Sequence, residues 1–255
     1  MKLGAVISPH DERDLPMARY MDAERLARVD LPSSWGYDAQ NSYGVDQWAM
    51  LGNDEYGDCV WAGAAHEHML WNRAAGRPVV FSTESVLSDY AAVTGFNPDD
   101  PESDQGTDVR TALKYRVATG IADESGERHK LGAYLAVDTS NLRELLVSSY
   151  LFEAVALCWN LPESAQEQFS ARKMWSYVDG SPIEGGHYTC LNAKRRHLET
   201  VTWARSVPFD SAFMENYLSA AWALMSPEAL EGSGQTPLGL DLATLRADLA
   251  QVSEL

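Results

Sequence analysis

The run Leu51-Gly-Asn-Asp-Glu-Tyr-Gly-Asp-Cys-Val-Trp-Ala-Gly-Ala-Ala-His66 holds the residues best suited to chemistry. Gly52 and Gly57 allow a tight turn and Asp58 suits a helix N-cap, so the spacing predicts a helix whose first turn contains Cys59. Unpaired backbone N–H groups and the helix dipole at that end favour a thiolate over a thiol, which makes Cys59 a candidate nucleophile. The same features fit a buried structural cysteine, since free Cys is among the most buried residue types. His66 and His68 follow on the same helix. Two histidines two positions apart point to different faces, so they make a poor metal pair and read as polar-surface or satisfied core residues.

The elements that must position this run follow from caps and periodicity. The central helix is expected from Asp58 to Ala75, closed by Gly76 and Pro78. A second helix is expected over 82–94, capped by Ser82 or Thr83, with Val86, Leu87, Tyr90 and Val93 as its apolar stripe. The acidic stretch 97–108 suggests a calcium loop, but the register fails: the required glycine falls on Gln105 and the closing glutamate on Thr111. A third helix, 109–118, is capped by Thr107 or Asp108. Beyond it strands are expected at 133–137, 151–159, 185–191 and 197–204, with a helix at 140–149 capped by Ser140. A helix at 209–224 is expected because Ala212, Phe213, Tyr217, Ala220, Ala221 and Leu224 share one face, and a final helix at 241–252 follows a glycine-rich turn at 231–237. At the other end, 18–29 could form a short helix within a polar arm. Helices dominate the first half and strands the second, which predicts α+β rather than alternating βαβ.

Composition excludes several function classes. The net charge of −17 argues against nucleic acid or an anionic membrane as partner. No apolar run approaches the ~20 residues of a membrane span, and Met1–Arg19 lacks a signal-peptide core. Three cysteines do not make a disulfide framework, so a reducing compartment is the simpler expectation. No phosphate-binding glycine loop or Gly-x-Ser-x-Gly elbow is present.

A cysteine opening a central helix, with Gly185-Gly-His187 much later at the start of a strand, resembles the papain-like cysteine peptidases. Leu31-Pro-Ser looks like the mature start of such an enzyme. Asn53, six residues before Cys59, falls where the family places an oxyanion-hole glutamine. Gly57-Asp-Cys-Val-Trp-Ala62 resembles the family's Gly-Ser-Cys-Trp-Ala-Phe run, with the tryptophan moved by one. Ser82-Thr-Glu-Ser-Val-Leu-Ser-Asp89 is similar to its Ser-Glu-Gln-Leu-Val-Asp helix, and Ala112-Leu-Lys-Tyr115 with Gly120-Ile121 resembles its Ala-Leu-x-Tyr and Gly-Ile segment. Val155-Ala-Leu157 resembles the strand before the histidine, and Val201-Thr-Trp203 lies where the family has Asn-Ser-Trp. Residues 31–225 correspond in order. The Leu-Gly-Asn-Asp-x-Tyr-Gly-Asp-Cys run also resembles that of a divergent group of proteins from actinobacterial and bacteriophage genomes.

The resemblance implies an α+β, papain-like two-lobed fold with a helical N-terminal lobe (about 31–130), an antiparallel β C-terminal lobe (about 131–230) and an interlobe cleft. Residues 1–30 would be an arm and 231–255 a C-terminal turn and helix. It implies Cys59 as nucleophile, His187 as acid/base and Asn53 as amide donor to the oxyanion. Asparagine is one methylene shorter than the family's glutamine. The family's imidazole-orienting asparagine falls on Val201, which accepts no hydrogen bond, so Glu199, Thr202 or Asn192 would have to substitute. Trp203 is expected to pack behind the histidine. Cys158 and Cys190 fall on neighbouring strands, either paired or as two buried thiols. About 30 residues precede Leu31, too few for the pro-segment of secreted members, so the reading is an intracellular hydrolase without zymogen control or no hydrolase at all. Two functions follow. One is a thiol hydrolase or acyl transferase taking a peptide or protein substrate. The other is a catalytically silent papain-fold structural protein, such as a bacteriophage capsid or tail component among neighbouring virion proteins. Neither requires a cofactor or metal, and the expected location is cytoplasmic or virion-associated.

Overall fold

The computed structural model describes residues 1–7, 14–36 and 48–227. In chain order the elements are β1 (Ala5–Val6), α1 (Ala23–Arg28), β2 (Trp35–Gly36), α2 (Cys59–Ala74), α3 (Thr83–Thr94), β3 (Thr107–Asp108), α4 (Val109–Ala118), β4 (Ile121–Ala122), β5 (Arg128–His129), β6 (Ala133–Val137), α5 (Leu142–Phe152), β7 (Val155–Pro162), α6 (Glu163–Ser170), β8 (Ile183–Lys194), β9 (Leu198–Thr202), β10 (Arg205–Phe209), α7 (Ser211–Tyr217) and β11 (Leu218–Met225). Helices α2 to α4 precede an antiparallel sheet ordered β10-β9-β8-β7-β11-β6, so the α+β class holds. Among the described residues no helix is long and apolar enough to cross a membrane.

Helix α2 is buried on every side from Cys59 to Asn72. A helix wrapped this closely needs small residues where backbone meets neighbour, and Ala62-Gly-Ala-Ala65 supplies them. Gly63 is the tightest point: a Cβ there would lie 2.5 Å from the Tyr188 ring on β8. Alanine favours a helix over glycine by about 1 kcal/mol, but overpacking costs about 1–3 kcal/mol. Gly63→Ala is therefore expected to change stability by about 0–2 kcal/mol in the destabilising direction in a denaturant titration. A stabilising result would mean that the contact is not tight.

The caps expected on α3 and α4 are present. Ser82 accepts from the Ser85 N–H at 3.0 Å, and Gly95 ends α3 at φ 77°. Asp108 accepts from the Thr111 N–H at 2.8 Å. Elsewhere boundaries move. The short N-terminal helix is a 3₁₀ turn at Met17–Arg19 followed by α1, capped by Asp22. Asn141 rather than Ser140 caps α5, and α5 runs on to Phe152, so the strand expected from 151 begins at Val155.

The largest correction concerns 209–224, expected as one helix. Only Ser211–Tyr217 is helical; Leu218–Met225 is strand β11, paired with β7 on one side and β6 on the other. From Ala221 on, β11 is buried at every residue. A strand covered on both faces shows no alternation, and its run of alanines mimics a helical stripe. The turn and helix expected at 231–252 lie outside the described residues.

Candidate active site

Cys59 opens α2 as expected, but burial overrides the helix end. The residue is 1% exposed. Burial pushes its thiol up to about 12, against the weaker opposing pull of backbone N–H groups of Tyr188, Gly4 and Ala5 that face the sulfur. Burial thus outweighs the helix-end stabilisation of a thiolate. Asp58 occupies the N-cap position without capping, and neither carboxyl oxygen has a hydrogen-bond partner. Burial raises this carboxyl well above its usual range, and the Asn53 amide beside it is the main opposing influence.

What seals the sulfur is the start of the chain. The Lys2 N–H donates to the Asn53 carbonyl at 3.1 Å, and Asn53 Nδ2 donates back to the Lys2 carbonyl at 3.3 Å and to Tyr56 O at 3.1 Å. The Thr107 N–H donates to Gly4 O at 2.7 Å, and β1 runs parallel to β3. A Cβ on Gly4 would lie 1.8 Å from the Gly57 carbonyl, and one on Gly186 would lie 1.9 Å from the Ala5 carbonyl. Residues 2–5 thus pass between the helical half and strand β8 with no gap on either side. The sequence showed an arm here but no role for it in the site.

His187 stands on β8 opposite Trp159 of β7 and is fully buried. Its Nε2 lies 2.7 Å from Thr202 Oγ1, and its ring stacks on Trp203 with centroids 4.4 Å apart and planes 22° from parallel. Burial lowers its pKa to about 3, so the imidazole is neutral. A proton on Nε2 makes Thr202 the acceptor and leaves a lone pair on Nδ1, which has no hydrogen-bond partner. Thr202, one of the three substitutes named from the sequence, is therefore the side chain that meets the imidazole, one position beyond Val201. Val201 is buried and pairs with Cys190 instead, and Glu199 accepts from the Ser206 hydroxyl at 3.0 Å.

The offset has a backbone cause. β9 and β10 join through a two-residue turn, with Trp203 at φ 45° and Ala204 at φ 63°. Two consecutive left-handed residues suit the twist of a tight hairpin but cost about 1 kcal/mol or more each without glycine. The Trp203 ring, packed on His187 and on Phe169 at 4.9 Å, holds the strained turn and aims Thr202 at the imidazole.

Sequence reasoning missed Asp104 and Tyr90. The Gly57 N–H donates to Asp104 at 2.9 and 3.1 Å, and the Tyr90 hydroxyl donates to Asp104 at 2.7 Å. The Gly106 N–H in turn donates to Tyr90 Oη at 3.0 Å. The acidic loop that fails as a calcium site thus fixes the backbone bordering Cys59. Its one sequence signal is an aspartate two residues before a glycine.

The remaining candidates take the plain reading. His66 and His68 are buried, and His66 Nε2 donates to the Trp48 carbonyl at 2.7 Å. Cys158 and Cys190 lie on β7 and β8 as free thiols. Among the described residues no group of His, Cys, Asp and Glu could hold a metal ion. Two surface concavities, one bordered by Leu142, Arg196 and Met214 and the other by Asp14, Asp138 and Trp222, contain neither Cys59 nor His187.

No protein-family model matches the sequence, and no curated protein is similar to it. Solved structures are similar in fold. The cysteine protease xylellain from Xylella fastidiosa superposes with a TM-score of 0.64 at 12% identity, covering 88% of this chain and 96% of that one. Procathepsin B S9 from Trypanosoma congolense gives 0.60 at 14%, covering 89% and 86%. Digestive procathepsin L 3 of Tenebrio molitor gives 0.55 at 13%, covering 88% and 75%.

Proposed function

We propose, from the premise that this chain has the papain-like cysteine peptidase fold, that it is a thiol hydrolase of peptide or amide bonds, held latent by its own first residues. The observation that carries this reading is the imidazole of His187. It is neutral, clamped by Thr202 and Trp203, has a free Nδ1, and directly precedes the residue whose N–H faces the Cys59 sulfur. His187 Nδ1 has no hydrogen-bond partner in the sealed state, the Cys59 sulfur included. In the proposed reaction the sulfur closes on Nδ1 once the covering segment leaves, and passes it the proton as it attacks a carbonyl carbon. The Asn53 amide and the helix-end N–H groups stabilise the oxyanion. Collapse expels the amine, which takes the proton from Nδ1, and water then cleaves the thioester with Nδ1 as base.

The covering segment fits an inhibitor better than a substrate. N–H groups of Gly4 and Ala5, rather than a carbonyl carbon, face the sulfur. The Gly4 carbonyl is held by Thr107, and the Lys2 carbonyl engages the Asn53 amide that the reaction would need. A second reading, a catalytically silent structural protein such as a virion component, is favoured by the same sealed, neutral thiol.

The two part in one experiment. Gly4→Val, which forces a side chain against the Gly57 carbonyl, should free the cleft. That protein is expected to hydrolyse a fluorogenic peptide mixture, to lose all activity on adding Cys59→Ser, and to lose about 10²–10⁴-fold on adding His187→Ala. Hydrolysis that survives Cys59→Ser, or no hydrolysis by a folded protein with its cleft open, removes the enzyme reading.

A further inference from the structure

We propose that the slot over Cys59 reads glycine: the peptides it takes are extended chains that lay a glycine across the sulfur, with a small residue after it and an apolar one before it. This rests on the reading of Cys59 as the nucleophile of a peptide-binding cleft, and it adds the class of peptide.

The argument is one of width. The walls nearest the sulfur are backbone. On the helical side stand the Gly57 carbonyl, against which a Cβ on residue 4 would lie at 1.8 Å, and Gly106, where an added Cβ would meet Gly4 O at 2.1 Å. On the sheet side stands Gly186, where an added Cβ would meet Ala5 O at 1.9 Å. Real Cβ contacts do not approach so closely, so at this level the slot is one bare peptide wide. Its walls also cannot retreat easily. Gly57 is held by Asp104, Gly106 by Tyr90, and Tyr90 by Asp104; Gly186 lies inside a strand paired to β7. On this proposal the width that residues 3–5 meet is carried over to any extended chain laid between the same walls. On either side of the glycine the segment shows what else fits. Leu3 packs on Gly185, where an added Cβ would sit 3.2 Å from Leu3 Cδ1, and Ala5 is buried at 7% exposure. Residues 3–5, Leu-Gly-Ala, thus match the slot in shape.

The test uses the full chain carrying Gly4→Val; if that protein does not fold, Ala5→Asp displaces the same segment by placing a charge at a buried position. Acetylated, amidated peptides Lys-Leu-Xaa-Ala-Val, with Xaa Gly, Ala, Val or Leu, are added before iodoacetamide, and labelling of Cys59 is followed by mass spectrometry. The glycine peptide is expected to slow labelling at least about tenfold at a concentration where the valine and leucine peptides do nothing, since a side chain at that level meets fixed backbone. Equal protection by the valine or leucine peptide, or none by the glycine peptide, overturns the inference. The same samples are scanned for cleavage products. Protection by glycine without cleavage leaves the glycine reading standing, and the fluorogenic peptide mixture then decides the hydrolase reading, which falls if that mixture is not hydrolysed either. Cleavage without glycine preference removes the glycine reading and leaves the hydrolase reading standing.

Discussion

Gly4→Val is expected to raise the rate at which iodoacetamide alkylates Cys59 at pH 7 by about 10²-fold or more. The sealed thiol is pushed up to about 12 by burial, so at pH 7 only about one molecule in 10⁵ carries the reactive thiolate. Opening the slot returns the sulfur to water and towards a free cysteine's ~8.5, where about 3% is thiolate. That is a gain of about 10³·⁵ in reactive form, reduced to about 10² because a less basic thiolate is also a weaker nucleophile. Relief of steric cover adds to the effect. The shape of the pH profile carries further information. If the freed thiolate is paired with protonated His187, labelling should continue well below pH 7, and adding His187→Ala should restore an ordinary titration near ~8.5. Cys158 and Cys190, both fully buried, serve as internal controls that stay slow. A folded Gly4→Val protein that labels no faster than the parent would mean that the first residues are not what keeps the sulfur neutral.

Local features of this site were legible in the sequence, and long-range ones were not. Asp58-Cys59 at a helix start, Ser82 and Asp108 as caps, and a strand carrying His187 are all set by neighbours within a few residues. The signals that failed depend on contacts distant in sequence. β11 lost its alternation because from Ala221 on it is covered on both faces. Thr202 stood among three possible partners of the imidazole, and only the hairpin with two left-handed residues, which nothing in Val201-Thr-Trp203 announces, singles it out. Residues 2–5 carry no periodicity, since their fit depends on Gly57, Gly106 and Gly186 meeting around them in three dimensions. The acidic loop likewise reads as solvated until Asp104 is seen to accept from Gly57 and Tyr90. An element defined by its own sequence can be read from it, whereas a wall defined by its partner cannot.

Arg116→Met is expected to cost about 3–5 kcal/mol of stability, because it leaves a buried carboxylate without its counter-ion. Glu67 and Arg116 are both fully enclosed, 2.6 Å apart, and the Tyr188 hydroxyl donates to the other Glu67 oxygen at 2.7 Å. Burial already raises the Glu67 pKa, and Arg116 is the largest influence holding it down. Without the guanidinium that pKa rises further. A carboxyl whose folded pKa exceeds its unfolded value contributes stability that is complete below the unfolded pKa and lost as pH climbs through the folded one. The Arg116→Met protein should therefore be closer to the parent near pH 5 than near pH 8, as measured by urea titration at each pH. Adding Glu67→Gln removes the stranded charge and should recover most of the loss with a flat pH dependence; a loss below about 1 kcal/mol in the single variant would show that the pair is not the buried tie described here. The consequence reaches the site. Glu67 is on the helix that starts at Cys59, and the Tyr188 hydroxyl it accepts from belongs to the residue after His187, so Glu67 ties that helix to the strand carrying the imidazole. On the proposed hydrolase reading, loosening that tie in the Gly4→Val background should lower turnover when it is measured at a pH where the variant is folded.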